Sequence, residues 1–231
     1  MKKFLKVLFI YIPLAFLFVS GISVLFFKWA PVTVTPLMIR RCCTGVEPVS
    51  ELFHSHWTPL EEISPSIQRT VIASEDGKFL THNGFDIEEM KIMRENHIKR
   101  GKPVRGCSTI SQQTAKNCFT WGTRTWVRKA FEAYFTVLIE AVWGKERILE
   151  VYLNVAELGP GIYGAQEAAE RYYRKSASKL TLFESATLTC CLPNPLKRTP
   201  EWVGRHMSTR RSQILALSRD VILDFDRKKV E

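Results

Sequence analysis

The sequence predicts a mainly α-helical protein in which one N-terminal transmembrane helix precedes a globular domain. Val7 to Phe27 is a run of 21 residues without a charge. Further along the chain, apolar residues recur three and four positions apart, most regularly from Trp126 to Trp143. The sequence has no internal repeat and no series of alternating strand patterns. With 231 residues, 45% of them hydrophobic, the chain can form one substantial domain and a small extra element.

The apolar segment is long enough to cross a membrane. At about 1.5 Å of rise per residue it spans a hydrocarbon core of about 30 Å. The alternative is a cleaved signal peptide, whose apolar region would be shorter, about 7–15 residues, and followed by a small-residue cleavage site. No such site follows Phe27. Lys2, Lys3 and Lys6 precede the segment and only Lys28 follows it closely, so the positive-inside rule predicts a cytoplasmic N-terminus and an exported domain. Nucleic acid is then excluded as a partner.

Composition divides the rest of the chain into further segments. Residues 1–6 are predicted to be a short cytoplasmic tail. Residues 28–54 are predicted to be a linker, because three prolines stand there among β-branched and basic residues, and one short strand could form in it. The globular domain is expected at 55–200. Residues 201–231 are expected to form a basic C-terminal helix that packs on this domain.

Capping signals place the first helices of the domain. Ser64 followed by Pro65 predicts a helix start, because proline favours the first helical position, and the apolar face continues to Glu75. Asp86 with Glu89 predicts the start of a helix over Ile87 to about Lys99. Ser108 or Thr109 predicts the start of a third helix, which runs to about Asn117.

Four later helices are predicted, at 126–143 from the spacing of apolar residues, at 146–154, at 165–173 and from Thr181 onwards. Gly144 separates the first two of them, and a glycine-rich loop at 158–164 precedes the third. Thr181 and Glu184 match the capping-box pattern, in which each side chain bonds to the backbone of the other residue.

The charges are strongly unbalanced. The chain has a formal net charge of +10 and an isoelectric point near 9.4, which favours an anionic partner. The 36 residues from Asn96 to Phe131 contain no carboxylate, and their cations are Lys99, Arg100, Lys102, Arg105, Lys116, Arg124, Arg128 and Lys129. A solvated basic face near an anionic membrane is the simplest explanation. A focused positive field that binds a phosphorylated ligand is the alternative.

The stretch RGCSTISQQTAKN, residues 105–117, favours the second explanation. Its Ser108 and Thr109 stand at a predicted helix start, where free backbone N–H groups can bind phosphate. Helical spacing places Gln112 with Lys116 on one face, and it places Gln113 with Asn117 beside them. Amides, hydroxyls and one ammonium in this arrangement suit a sugar phosphate.

Two glutamates flank this stretch. Glu75 follows an apolar helical segment, so it could be a base with a raised pKa, or it could be an exposed helix end. Glu132 could be a second site carboxylate, or it could form an i,i+4 salt bridge with Arg128 on a wet surface. Paired carboxylates around a sugar site are typical of glycosyl chemistry. Asp76 is expected to be a structural cap or partner, and His82 is expected to be a structural turn residue.

The six cysteines match no zinc-site spacing, and they are predicted to be mostly buried small apolar residues. They therefore say little about the redox compartment.

Five blocks of the chain resemble the monofunctional biosynthetic peptidoglycan transglycosylases of glycosyltransferase family 51. They cover about residues 55–200 and read ASEDGKFLTHNGFD, RGCSTISQQTAKN, WVRKAFEAYFTVLIE, KERILEVYLNVAELGPGIYGAQEAAERYY and ASKLTLFESATLTCCLPNP. The chain departs from the family pattern at Cys107, where a second glycine is usual. A side chain there could narrow the turn before the helix.

The resemblance implies a lysozyme-like, two-lobed glycosyltransferase domain that polymerises lipid II into β-1,4-linked glycan with inversion and releases undecaprenyl pyrophosphate. It implies catalytic roles for Glu75 and Glu132. The implied binding residues for substrate and pyrophosphate are Ser108, Thr109, Gln112, Gln113, Lys116, Asn117, Arg124, Arg128 and Lys129. No cofactor is implied to be required, although Mg²⁺ or Mn²⁺ could stimulate the reaction, with Glu132 as a possible metal ligand.

The implied location is the bacterial cytoplasmic (inner) membrane, which the chain would cross once, with the catalytic domain on the periplasmic or outer side. The implied partners are lipid II, the growing glycan strand and membrane lipid, and other cell-wall synthesis proteins are possible partners. Two rival functions remain open. A lytic transglycosylase or other lysozyme-like hydrolase would share the fold and a catalytic glutamate, and a membrane-tethered scaffold would need neither glutamate.

Overall fold

The computed structural model describes residues 7–44, 56–100, 107–121 and 125–225. These residues form a mainly helical protein with eleven α-helices and one short two-stranded hairpin. The mainly α-helical fold predicted from the sequence is therefore confirmed. Most of the buried apolar side chains belong to one core, which the helices of the domain share with the end of the N-terminal helix.

Helix α1 (Ile12–Phe27) continues from a π-helical turn at Val7–Tyr11. By length and composition, the helical span Phe9–Phe27 could cross a membrane. Most of its large apolar side chains are exposed, but Ser20 and Val24 are buried against the domain. The hydroxyl oxygen of Ser20 lies 2.7 Å from that of Tyr134, and the indole of Trp143 donates to the carbonyl oxygen of Val24 at 2.7 Å. The apolar helix is therefore docked on the domain.

The segment that follows contains helix α2 (Pro36–Cys43). The described part of the linker, residues 28–44, contains no strand, and residues 45–54 lie outside the described residues. Thr35 caps the helix by accepting a hydrogen bond from the backbone N–H of Met38 at 3.3 Å. The side chain of Met38 is packed into the protein, with 1% of its surface exposed. The linker is thus partly an ordered element that is packed on the domain.

The first helices of the domain are α3 (Pro65–Glu75), α4 (Ile87–Arg100), α5 (Ile110–Phe119), α6 (Trp126–Val142) and α7 (Gly144–Val155). The first three of them begin where the capping signals predict, α6 begins as its apolar spacing predicts, and α7 begins at Gly144, two residues before the predicted start. Helices α3, α5 and α6 are capped by Ser64, Thr109 and Thr125. Most of α5 and α7 is buried, and α5 packs on both α6 and α7. Polar residues of α5 are therefore held on a rigid element.

The second half of the domain begins with an antiparallel hairpin of β1 (Glu157–Gly159) and β2 (Ile162–Tyr163). The remaining helices are α8 (Gly164–Tyr173), α9 (Leu182–Thr189), α10 (Pro200–His206) and α11 (Ser208–Leu217). Thr181 and Glu184 form the predicted capping box of α9. The single C-terminal helix expected from the sequence is two helices in the described region, because the chain leaves the helical conformation at Met207.

The cysteines are all free thiols. Cys118, Cys190 and Cys191 are buried among apolar side chains, as predicted for small apolar residues. Cys43 is exposed, and Cys42 and Cys107 are half-buried. The prediction of burial therefore holds for half of them.

Candidate active site

Glu75 is the last residue of α3, and its side chain is partly buried. One carboxylate oxygen accepts a hydrogen bond from the side-chain amide of Gln113 at 3.1 Å, and the other accepts one from the hydroxyl of Ser74 at 3.3 Å. Burial raises the pKa of Glu75 above its ordinary value, and these hydrogen bonds together with the charge of Arg210 only partly oppose that effect. A carboxylate in such a position is a stronger base than one in water.

Gln113 connects Glu75 to the interior of the domain. Its side-chain oxygen accepts a hydrogen bond from the hydroxyl of Tyr152 at 3.1 Å, and its nitrogen also donates to the backbone oxygen of Ser108. Burial raises the pKa of Tyr152 well above its ordinary value, so this hydroxyl stays a donor. The amide of Gln113 is therefore oriented so that its N–H group points at the carboxylate of Glu75.

Asp76 and His82 are structural, as the sequence predicts. The carboxylate of Asp76 accepts hydrogen bonds from the backbone N–H of Ile110 at 2.9 Å and from Nε2 of His82 at 2.8 Å. Nδ1 of His82 accepts from the backbone N–H of Gly84 at 3.1 Å, so the proton of a neutral ring belongs on Nε2. Asp76 thus fixes the end of α3 to the start of α5.

At the start of α5, where the sequence predicts an anion site, several backbone N–H groups already have side-chain partners. Thr109 and Gln112 form a reciprocal capping box, and the carboxylate of Asp76 already accepts from the N–H of Ile110. The hydroxyl of Thr109 also donates to the backbone oxygen of Gly84 at 2.7 Å. Both capping side chains are buried and stabilise the start of α5.

Glu132 lies in a buried cluster of charges. One of its oxygens accepts from Arg128 at 2.7 Å and the other from Lys129, whose ammonium also lies 3.3 Å from the hydroxyl of Ser108. Only 2% of Glu132 is exposed. The salt bridge to Arg128 exists, but the alternative of a wet surface pair is wrong because the carboxylate is removed from solvent.

Lys116 points into a cavity of about 320 Å³, which we call the cationic cavity. Its polar and charged lining residues are Arg40, Arg41, Gln113, Lys116, Asn117, Thr120, Arg128, Tyr152 and Glu157. Desolvation lowers the pKa of Lys116, and Arg128 and Lys129 lower it further, whereas Glu132 and Glu75 oppose this. No hydrogen bond or ion pair joins the side-chain ammonium of Lys116 to another residue in the described ranges. Its ammonium therefore faces the cavity.

Glu75 itself lines a second cavity of about 520 Å³, which we call the acidic cavity. Its charged lining residues are Glu75, Asp76, Lys78, Asp86, Glu89 and Arg210, and Cys107 also lines it. The hydrogen bond between Glu75 and Gln113 therefore joins a carboxylate of the acidic cavity to an amide of the cationic cavity. This arrangement can hold a proton acceptor beside a bound anion.

Of the residues predicted for the site, the structure brings Gln113, Lys116, Asn117 and Arg128 to the cationic cavity and brings Glu75 and Thr109 to the acidic one. Ser108, Lys129 and Glu132 are linked to each other by the hydrogen bonds described above. Arg124 lies outside the described residues. The catalytic and binding roles of all these residues stay predictions.

The predicted metal role of Glu132 does not fit its surroundings. Each of its oxygens already accepts from a cation, and Lys116 is nearby, so a divalent ion would meet uncompensated positive charge. Elsewhere in the described region, His56, Glu167 and Glu170 bring ligand atoms within 4.8 Å of one another. None of these three residues lines either cavity.

Sequence reasoning missed three arginines of the site. Arg40 and Arg41 come from α2, and the pair of Thr35 and Pro36 was a usable signal for that helix. Arg210 comes from α11, where its guanidinium lies 3.2 Å from the hydroxyl of Ser74, and no local signal in the sequence marks it.

Comparison with known proteins identifies a family. The family model described as Transglycosylase matches residues 46–219. A biosynthetic peptidoglycan transglycosylase of Bdellovibrio bacteriovorus is 46% identical over 203 residues, which are 86% of this chain and 80% of the relative. The protein of the same name from Caulobacter vibrioides is 48% identical over 84% of this chain and 82% of its own length. A third, from Bacteroides thetaiotaomicron, is 46% identical over 88% of this chain and 83% of its own length.

The matched region contains all five blocks on which the resemblance was based, and the resemblance is therefore confirmed. The helical structure and the match agree with the lysozyme-like fold that it implies. Taken together, they show that the chain belongs to the transglycosylase family and is a glycosyltransferase.

Proposed function

We propose that this glycosyltransferase polymerises lipid II into β-1,4-linked glycan strands of peptidoglycan and releases undecaprenyl pyrophosphate. The names of the relatives support peptidoglycan as the product. The observation that carries the proposal is the single hydrogen bond from Gln113 to Glu75. It places a carboxylate with a raised pKa directly beside a cavity that is lined by cations.

In the proposed reaction, the carboxylate of Glu75 takes the proton from the 4-hydroxyl of the acceptor sugar, a GlcNAc unit. The freed oxygen attacks the anomeric carbon of the donor MurNAc and forms the new glycosidic bond. The bond from that carbon to the phosphate oxygen breaks, and its electron pair leaves with the pyrophosphate. Attack opposite an α-linked leaving group gives a β product, which is inversion.

The two cavities suit the two substrates. A neutral sugar hydroxyl can approach Glu75 from the acidic cavity. The departing pyrophosphate gains negative charge as the bond breaks, and Lys116 and Arg128 in the cationic cavity are placed to stabilise it. Glu132 acts in this scheme by holding Arg128 and Lys129, because its own oxygens are occupied by them.

We further propose that the enzyme is a single-pass protein of the bacterial cytoplasmic membrane with its catalytic domain on the outer side. Helix α1 is long and apolar enough to cross the bilayer. Its end is docked on α6 and on Trp143, so the domain would lie against the membrane that contains the lipid-linked substrate.

The reaction class is tested by incubating the full-length protein in detergent with lipid II and, separately, with purified peptidoglycan. We expect glycan strands from lipid II, also in the presence of a metal chelator, and no soluble fragments from peptidoglycan. Fragments from peptidoglycan without polymer from lipid II would indicate a hydrolase. Activity on neither substrate, combined with binding to anionic vesicles, would indicate a scaffold. Either outcome would overturn the proposal.

A further inference from the structure

Helix α2 precedes the family-matched region, which begins at residue 46, yet it forms part of the cationic cavity. Leu37, Arg40 and Arg41 all line that cavity together with Lys116 of α5. The helix is held in place by its Thr35 cap and by Met38, whose side chain is packed into the protein. The cavity therefore has one wall that comes from the segment after the apolar helix.

An ion pair joins this wall to the domain. The guanidinium of Arg41 donates to a carboxylate oxygen of Glu157 in β1 at 2.8 Å, and the two side chains are only 14% and 5% exposed. Buried pairs of this kind fix the geometry of the elements that they join. Because its charge is largely matched by Glu157, Arg41 serves mainly to hold α2 against the hairpin.

Arg40 is in a different situation. Its side chain is half-buried at the cavity, and in the described ranges no hydrogen bond or ion pair joins it to another side chain. The cavity is lined by four cationic side chains and one carboxylate, so its lining has a net charge of +3. Like charges around one cavity repel each other unless an anion is bound between them.

We infer that Arg40 is a binding residue for the pyrophosphate of the lipid-linked donor, and that α2 thereby forms part of the donor site. This inference rests on the proposed function. A guanidinium presents a planar pair of N–H donors that matches two phosphate oxygens at once, which suits a residue that lines the cavity together with Lys116. The apolar helix α1 and the donor-binding wall are then consecutive parts of one chain segment. The anchor would hold not only the enzyme but also part of its site at the membrane.

The test uses the full-length protein in a zwitterionic detergent and the variant Arg40→Gln. Its matched control is Arg69→Gln. Arg69 is exposed on α3 and lines neither cavity, and its replacement removes the same charge. Calorimetric titration with farnesyl pyrophosphate measures binding of the head group. We expect the Kd to rise about tenfold for Arg40→Gln, as for the loss of one charge-assisted contact, and to change less than about twofold for Arg69→Gln. Arg40→Lys keeps the charge but loses the planar fork, so its Kd should lie between the two.

Kinetics provide a second readout. With lipid II as substrate, Arg40→Gln should raise KM more than it lowers kcat, because a binding contact made throughout the reaction is lost. Equal Kd values for Arg40→Gln and Arg69→Gln, or no binding of farnesyl pyrophosphate by the wild type, would overturn the inference. Equally tight binding of phosphatidylglycerol in mixed micelles, with the same dependence on Arg40, would also overturn it in favour of a phospholipid site. Failure of the wild type to polymerise lipid II is a separate result, which overturns the proposed function.

Discussion

The side-chain amide of Gln113 donates a hydrogen bond of 3.1 Å to the carboxylate of Glu75. The hydroxyl of Tyr152 holds the other end of the same amide. Because the hydrogen bond favours the charged form, Gln113 lowers the pKa of Glu75 and partly offsets the effect of burial. The basicity of Glu75 thus depends on a residue that also lines the cationic cavity.

Replacing Gln113 with leucine should therefore raise the pKa of Glu75 further. We expect the acidic limb of the pH profile of kcat/KM to move to higher pH, because a larger fraction of Glu75 is then protonated at a given pH. Tyr152→Phe is the matched control, since it removes the hydrogen bond that the side-chain oxygen of Gln113 accepts and leaves the one to Glu75. If the acidic limb lies at the same pH in both variants, Gln113 does not lower the pKa of Glu75.

Glu75→Gln should stabilise the protein at pH 8. The folded-state pKa of Glu75 is raised, so its contribution to stability is present below the ordinary pKa and is lost as the pH rises through the folded value. Glutamine does not ionise, so the variant does not lose this stability as the pH rises. We expect a higher Tm for the variant at pH 8 and a smaller difference at pH 5, at about 2–4 °C for each kcal/mol gained in a chain of this size. A lower Tm at pH 8 would contradict the burial of this carboxylate.

Glu132→Gln should have the opposite effect. It leaves Arg128 and Lys129 without their shared counter-charge next to Lys116, and we expect a loss of roughly 1–3 kcal/mol in the free energy of unfolding. Chemical denaturation measures this loss. The double variant Arg128→Gln with Glu132→Gln should lose less than the sum of the two single variants. Additive losses would mean that the pair is not coupled.

Cys107 should be a reactive position in the acidic cavity. It is half-buried beside Glu75, whereas burial raises the pKa of the Cys118 and Cys191 thiols to about 12. In a background with Cys42 and Cys43 replaced by serine, a bulky maleimide should abolish polymerisation because it fills the cavity. Adding Cys107→Ser should restore resistance to the reagent, and mass spectrometry locates the label. Equal inactivation with and without Cys107 would show that labelling of Cys107 does not cause the loss of activity.

The helices could be predicted because their signals are local. Pro65 after Ser64, and Glu184 three residues after Thr181, mark helix starts through contacts within one turn. The same type of signal at Thr35 and Pro36 went unused, because the surrounding prolines and basic residues resemble a linker. The helix α2 was missed for that reason.

The surroundings of the predicted site residues could not be predicted where residues distant in the sequence supply the contacts. The N–H of Ile110 donates to Asp76, which lies 34 residues earlier in the sequence, so this N–H is not free for a phosphate. Helical spacing placed both Gln112 and Gln113 among the predicted site residues. In the structure, the capping box turns the side chain of Gln112 inward, and Gln113 lies beside Glu75. Arg40 and Arg210 line the two cavities only because helices at both ends of the chain pack against its central helices.

The central claim is that Glu75 accepts the proton of the attacking hydroxyl. The most direct measurement is the initial rate of lipid II polymerisation by Glu75→Gln and by Glu61→Gln, an exposed position that loses the same charge. We predict that Glu75→Gln lowers kcat by about 10²–10⁴-fold while its Tm is unchanged or higher, and that Glu61→Gln keeps the wild-type rate. A folded Glu75→Gln enzyme with a rate close to that of Glu61→Gln would contradict the assignment.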